Sequence, residues 1–128
     1  MKENIIDVFA LKKMVFNDFS DIVADIEIPF TNEMRINLID NSFIDVWFSI
    51  RLKNRYSYHW ERKRIDGLIF RHDNAPHLSW NEISTFPKHF HNGSEHQVEE
   101  STISDNPPNA LNEFLNFARN FLRTKKPV

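Results

Sequence analysis

The residues best equipped for chemistry are six histidines, all of them between His59 and His96 of a 128-residue chain. Five fall in three phrases: Tyr56-Ser-Tyr-His-Trp-Glu61, Phe70-Arg-His-Asp-Asn-Ala-Pro-His77 and Phe86-Pro-Lys-His-Phe-His-Asn-Gly93. His96 stands outside them. Imidazole changes charge near neutral pH and is a common metal ligand. Glu61, Arg71 and Asp73 are interleaved with the histidines. Imidazoles beside an arginine suit proton transfer at a ribose 2′-hydroxyl and stabilisation of the phosphorane. An extended His89-Phe-His91 places both rings on one side, as zinc and nickel sites do, and His59, His77 or Asp73 could complete such a set. Plainer roles are open too. Glu61–Arg71 and Arg71–Asp73 can be ordinary ion pairs, and single histidines can cap turns or bond within a core. Asn74 beside Pro76 can bond its own downstream backbone.

These residues need a frame. Ile5, Val8, Phe9, Val15, Phe16, Phe19, Ile22, Val23 and Ile26 recur at three- and four-residue spacing, which predicts a helix over 4–26 that Pro29 ends. The period then becomes two. Met34 to Leu38, Ile44 to Leu52, Tyr56 to Glu61 and Leu68 to Asp73 read as four consecutive strands, linked by Asp40-Asn-Ser and Asp66-Gly turns. A loop follows over 74–84. A fifth extended piece covers 87–91 or 97–102. Asn106-Pro-Pro opens a last helix striped by Leu111, Phe114, Leu115, Ala118, Phe121 and Leu122. The predicted class is α+β: an N-terminal helix, an antiparallel meander of four to five strands and a C-terminal helix, both helices on one sheet face, in a single domain over 1–128.

Period two also sorts the faces. Val46, Phe48 and Ile50, with Tyr56, Tyr58 and Trp60, are expected in the core. His59, Glu61, Arg71 and Asp73 then share the open face with Trp47 and Arg51, and His72 sits at the core's edge. The loop brings His77, and the segment bearing His89 and His91 folds back over the face. Exposed cations, hydrogen-bonding groups and an aromatic are what single-stranded RNA recognition uses. Arg62-Lys63-Arg64 reads as a solvated turn and Trp80 as a loop anchor.

Composition narrows the options. A net charge of −2 does not force nucleic-acid binding, although protonating all six histidines would carry it to +4. The absence of cysteine removes disulfides, thiolate zinc and a cysteine nucleophile. The two glycines, Gly67 and Gly93, build no phosphate loop. Neither an apolar signal core nor a stretch of spanning length is present, so the expected setting is the cytoplasm without membrane contact.

The three phrases resemble the TumE-type proteins of bacterial and archaeal toxin–antitoxin loci, whose outline is Tyr-x-Tyr-x-Trp, Phe-Arg-aromatic-Asp-Asn-Ala-Pro-His and Phe-Pro-x-His-x-His. The likeness covers about 56–91. It implies a small toxin encoded beside a helix-turn-helix antitoxin that neutralises it by binding. Ribonuclease-like action comes only by analogy with other small toxins. Arg71, Asp73, Asn74, His77, His89 and His91 match the family's polar positions. His72 stands where the family usually has an aromatic, and Leu78 where a second histidine often follows.

The leading reading is therefore a toxin-like domain acting on RNA with neither metal nor cofactor. Arg71 would contact phosphate, His77, His89 and His91 would move protons, and Asp73 would orient one of them. Trp47, Arg51, His59, Glu61 and Asn74 would hold substrate. Two alternatives stand beside it: a non-enzymatic module docking protein or nucleic acid on the Trp47/Arg51/His59 face, and a metal-dependent enzyme built on His89/His91. A homodimer is also open.

Overall fold

The computed structural model describes residues 6–124. The chain is α+β, with an N-terminal helix, an antiparallel sheet and a C-terminal helix. Helix α1 (Val8–Phe19) is capped by Asp7, whose carboxylate accepts the Ala10 N–H. Seven strands follow in unbroken sequence order: β1 (Val23–Phe30), β2 (Glu33–Leu38), β3 (Phe43–Phe48), β4 (Tyr56–Arg62), β5 (Leu68–Asp73), β6 (His89–Gly93) and β7 (Val98–Glu100). A single turn, α2 (Lys63–Asp66), joins β4 to β5, and α3 (Pro107–Thr124) closes the fold. No helix among the described residues is long and apolar enough to cross a membrane.

The sheet is wider than the four to five strands expected. The helix predicted over 4–26 stops at Phe19, and residues 23–30 form β1 instead; positions 4 and 5 lie outside the described residues. From Val23 onward, β-branched Ile26 and Ile28 alternate with Asp25 and Glu27, so the period has already become two. Pro29 does not end a helix. It lies in an edge strand, where a missing donor breaks no ladder bond, inside the register shift between Glu27 and Phe30. The two candidate segments for a fifth strand are both strands, β6 and β7.

The strand predicted over 44–52 is also shorter. Ser49 Oγ accepts the N–H groups of Arg51 and Leu52 (3.2 and 2.8 Å), which bends the chain out of the sheet. Ile50 is therefore 77% exposed rather than in the core, and Arg51 lies in the loop beyond β3.

One sheet face carries the core. Met34, Ile36, Ile44, Val46, Tyr58 and Trp60 are fully buried there together with Val15 of α1 and Ala110, Leu111, Phe114 and Leu115 of α3, so both helices cover the same face. Arg119 of α3 clamps the Asp21 carboxylate and the Asp18 carbonyl, fastening α3 to the end of α1. Arg62 is not part of a solvated turn. It is 3% exposed, paired with Asp40 and Asp66 and stacked on Trp60 and Phe121.

His72 lies in the middle of this core, not at its edge. Its ring stacks on Tyr58 with centroids 5.6 Å apart. Nε2–H donates to the Ser104 carbonyl (3.2 Å), and Nδ1 accepts the Ser101 hydroxyl (2.7 Å). Every polar atom of the ring is satisfied in the neutral form, and burial pushes its pKa down to about 4. An unfolded histidine titrates near 6.5, so acid charges the unfolded chain first. Stability falls as pH drops below about 6.5 and the loss levels off below about 4, for roughly 3 kcal/mol in all. Urea denaturation at neutral and acid pH should show this component in the wild type and not in His72→Phe.

Candidate functional site

Alternation along β5 places Arg71 and Asp73 on the face opposite the helices while His72 points into the core. Register then fixes their neighbours. Arg71 stands between His59 of β4 and His91 of β6, and Asp73 between Ser57 and His89. Five residues predicted for this face, His59, Arg71, Asp73, His89 and His91, are thus gathered by backbone pairing alone.

The side chains complete the cluster. Asp73 Oδ1 lies 3.2 Å from His89 Nε2 and also accepts the Ala75 N–H (3.1 Å). Asp73 Oδ2 takes Arg71 Nε–H at 3.2 Å and lies 3.7 Å from His91 Nε2. Arg71 Nη1 reaches His59 Nδ1 at 3.1 Å and Arg71 Nη2 reaches His91 Nε2 at 3.3 Å. Both Nη atoms also bind the Glu95 carboxylate (3.2 and 2.5 Å). Asp73, His89 and His91 are 3–7% exposed, and the edge of Trp80 meets the His91 ring at 6.3 Å.

Hydrogen-bond logic assigns the protons. His89 Nδ1–H donates to the Pro87 carbonyl (3.0 Å) while Nε2 faces Asp73, so both nitrogens face acceptors and the doubly protonated ring satisfies both. Burial disfavours that charge, but the Asp73 hydrogen bond and charge outweigh it and raise the His89 pKa. Burial likewise opposes the Asp73 carboxylate, and the same partner lowers its pKa on balance. His91 Nδ1–H donates to the Glu95 carbonyl (3.0 Å), and Nε2 faces a guanidinium that can only donate, so Nε2 carries a lone pair. Burial and then the Arg71 charge lower the His91 pKa. Burial works against the Arg71 charge, yet Glu95 and Asp73 raise its pKa. The Arg71 hydrogen bond holds Glu95 below the usual carboxylate range. His59 takes an Arg71 N–H on Nδ1 and turns Nε2–H to Glu61 (3.1 Å).

The structure thus brings together Arg71, Asp73, His89, His91, His59 and Glu61. It leaves four of the predicted residues outside. His77 is exposed, its ring beside Trp80 at 6.1 Å. Asn74 is turned the other way: Oδ1 accepts the Tyr56 N–H and Nδ2 donates to the Asn54 carbonyl, tying the end of β5 to the β3–β4 loop. Trp47, 37% exposed, shares the open face opposite Ser57, two strands away from Asp73, and Arg51 is an exposed loop residue. A cavity of about 660 Å³ touches Asn74 and Lys88 but none of the clustered histidines. Glu95 is the residue that sequence reasoning missed. The β6–β7 turn returns it to Arg71, and its signal was only a carboxylate four residues beyond His91.

Sheet and cluster together define an α+β protein whose open face carries a partly buried guanidinium–imidazole–carboxylate site. A family model described as toxin TumE matches residues 12–122, and the chain belongs to the TumE toxin family. No curated protein and no solved structure matches it.

The proton assignments can be read directly. Nitrogen-15 NMR at neutral pH should find His91 as the Nδ1–H tautomer and His59 and His72 as Nε2–H tautomers. A His91 ring carrying its proton on Nε2 alone would contradict the geometry above.

Proposed function

We propose that this chain is the toxin component of a toxin–antitoxin pair and that it acts on RNA at the Arg71 cluster. The carrying observation is that Arg71 offers two nitrogens to one anion, here Glu95, while the same nitrogens touch His59 and His91. A phosphodiester replacing the Glu95 carboxylate would meet the same paired donors. It would lie beside the His91 lone pair and one ring away from His89, the two imidazole centroids being 4.9 Å apart. On this reading His91 accepts the proton of a ribose 2′-hydroxyl as its oxygen attacks phosphorus. Arg71 balances the phosphorane charge, and the departing 5′-oxygen takes the proton stored on His89. Asp73 orients His89 and neutralises its charge. Trp47 offers an exposed ring on which a base can stack. No metal or cofactor takes part in this scheme. Family membership supports the toxin role, and on the resemblance the neutralising partner is a helix-turn-helix antitoxin.

Expression in cells lacking the antitoxin tests the reading. Arg71→Ala and His91→Ala should each abolish growth inhibition at equal protein level, and purified Glu95→Ala should bind single-stranded RNA several-fold more tightly at low salt than the wild type. If Arg71→Ala, His89→Ala and His91→Ala all leave growth inhibition intact, the site is misassigned. Stable RNA binding with no cleavage by the wild type would point instead to a non-enzymatic binding module.

A further inference from the structure

We infer that Asp73, His89 and His91 also form a site for a single divalent transition-metal ion, held by two imidazole Nε2 atoms and one carboxylate. This inference uses the side chains of the reading above but does not depend on RNA being the substrate.

Three observations carry it. The first is distance. One nitrogen or oxygen from each residue lies within 4.8 Å of the others, and the two rings approach the carboxylate at 3.2 Å (His89 Nε2 to Asp73 Oδ1) and 3.7 Å (His91 Nε2 to Asp73 Oδ2). Donors about 2.0–2.1 Å from a tetrahedral ion are about 3.3 Å from each other, so these separations bracket what an ion requires. The second is orientation. Both rings spend Nδ1–H on a backbone carbonyl, Pro87 for His89 and Glu95 for His91, each at 3.0 Å. Metal-bound histidines are commonly held in this way, because it fixes the tautomer and aims Nε2 at the ion. Here it aims both Nε2 atoms at one buried carboxylate. The third is charge. Asp73 and Glu95 flank the site and Arg71 cancels only one of them, so a dication that displaces the His89 proton meets a net negative environment.

Two features must yield on loading. The ion replaces the proton between His89 Nε2 and Asp73. Arg71 Nη2 gives up His91, a contact of 3.3 Å, and keeps its shorter bond to Glu95. Two nitrogens and one oxygen select zinc, cobalt or nickel over magnesium or calcium, which favour oxygen shells. Three protein ligands leave an open coordination position. The ion takes both Nε2 lone pairs, so loading and proton transfer by these histidines exclude each other.

Protein prepared without a polyhistidine tag and stripped with chelator should bind one Zn²⁺ per chain by calorimetry, with no RNA present. Co²⁺ should give a visible absorption band that Zn²⁺ removes. His91→Gln and Asp73→Asn should each weaken Zn²⁺ binding by roughly ten-fold or more. His96→Gln, at an exposed histidine outside the cluster, should leave it unchanged. In the wild type, Zn²⁺ should shift the nitrogen-15 signals of His89 and His91 but not of His72, which tests the site even if a variant fails to fold. Absence of stoichiometric uptake, or uptake undiminished in His91→Gln, overturns the inference. Both readouts are independent of RNA cleavage, so a failed ribonuclease assay would leave this result standing.

Discussion

The Asp73 carboxylate is the interaction on which the open face depends. It is almost buried, at the last position of β5, and a lone charge there would be costly. His89, Arg71 and the Ala75 N–H surround it with donors and positive charge. Each of those partners then has a fixed neighbour: His89 has the Pro87 carbonyl, and Arg71 has His59, His91 and Glu95. Removing the carboxylate would therefore leave His89 without its counter-charge and Arg71 with Glu95 alone, in a layer where water does not readily take its place. Satisfying that buried group accounts for the arrangement of most of the polar residues on this face.

The six histidines illustrate how differently one side chain can be used within forty residues. His72, in the core, is neutral and held by two serine groups. His89 shares a proton with a carboxylate, His91 carries a lone pair beside a guanidinium, and His59 bridges arginine to glutamate. His77 and His96 are exposed. The differences follow from backbone position. Residues 71, 72 and 73 alternate out, in, out, and the same alternation separates His89 and His91 from Phe90, which faces the core.

That alternation is why much of the site was legible in the sequence. The run Leu68 to Asp73 has one register that buries Phe70, and it places Arg71 and Asp73 opposite the core whatever the rest of the sheet does. His59 and Glu61 followed from the Tyr56-Tyr58-Trp60 stripe in the same way. Where two patterns overlapped, the reading failed. Ile22, Val23 and Ile26 fit both a helical stripe and the start of a strand, and pairing with β2 decided for the strand. Ile50 continued the alternation of β3, but the Ser49 hydroxyl captured the next two amides and turned the chain. Alternation puts His72 on the side of Phe70, but the two serine partners that let it lie within the core are about thirty residues away, beyond any local pattern. Glu95 and Arg71 are likewise joined only by the return of a hairpin.

The unbroken order of the seven strands has a further consequence. Every strand pairs with its neighbour in the chain, so the sheet can zip from one hairpin to the next, and only the pairing of β5 with β6 closes a long loop. Proteins rich in such local contacts fold quickly. The clustered residues occupy three successive strands and one turn, between His59 and Glu95, so their backbone frame needs no contribution from either end of the chain. The two terminal helices supply the hydrophobic mass that keeps this frame folded, while the long segment between β5 and β6 adds to it the Ala75 N–H, the Trp80 edge and the Pro87 carbonyl that hold Asp73, His91 and His89.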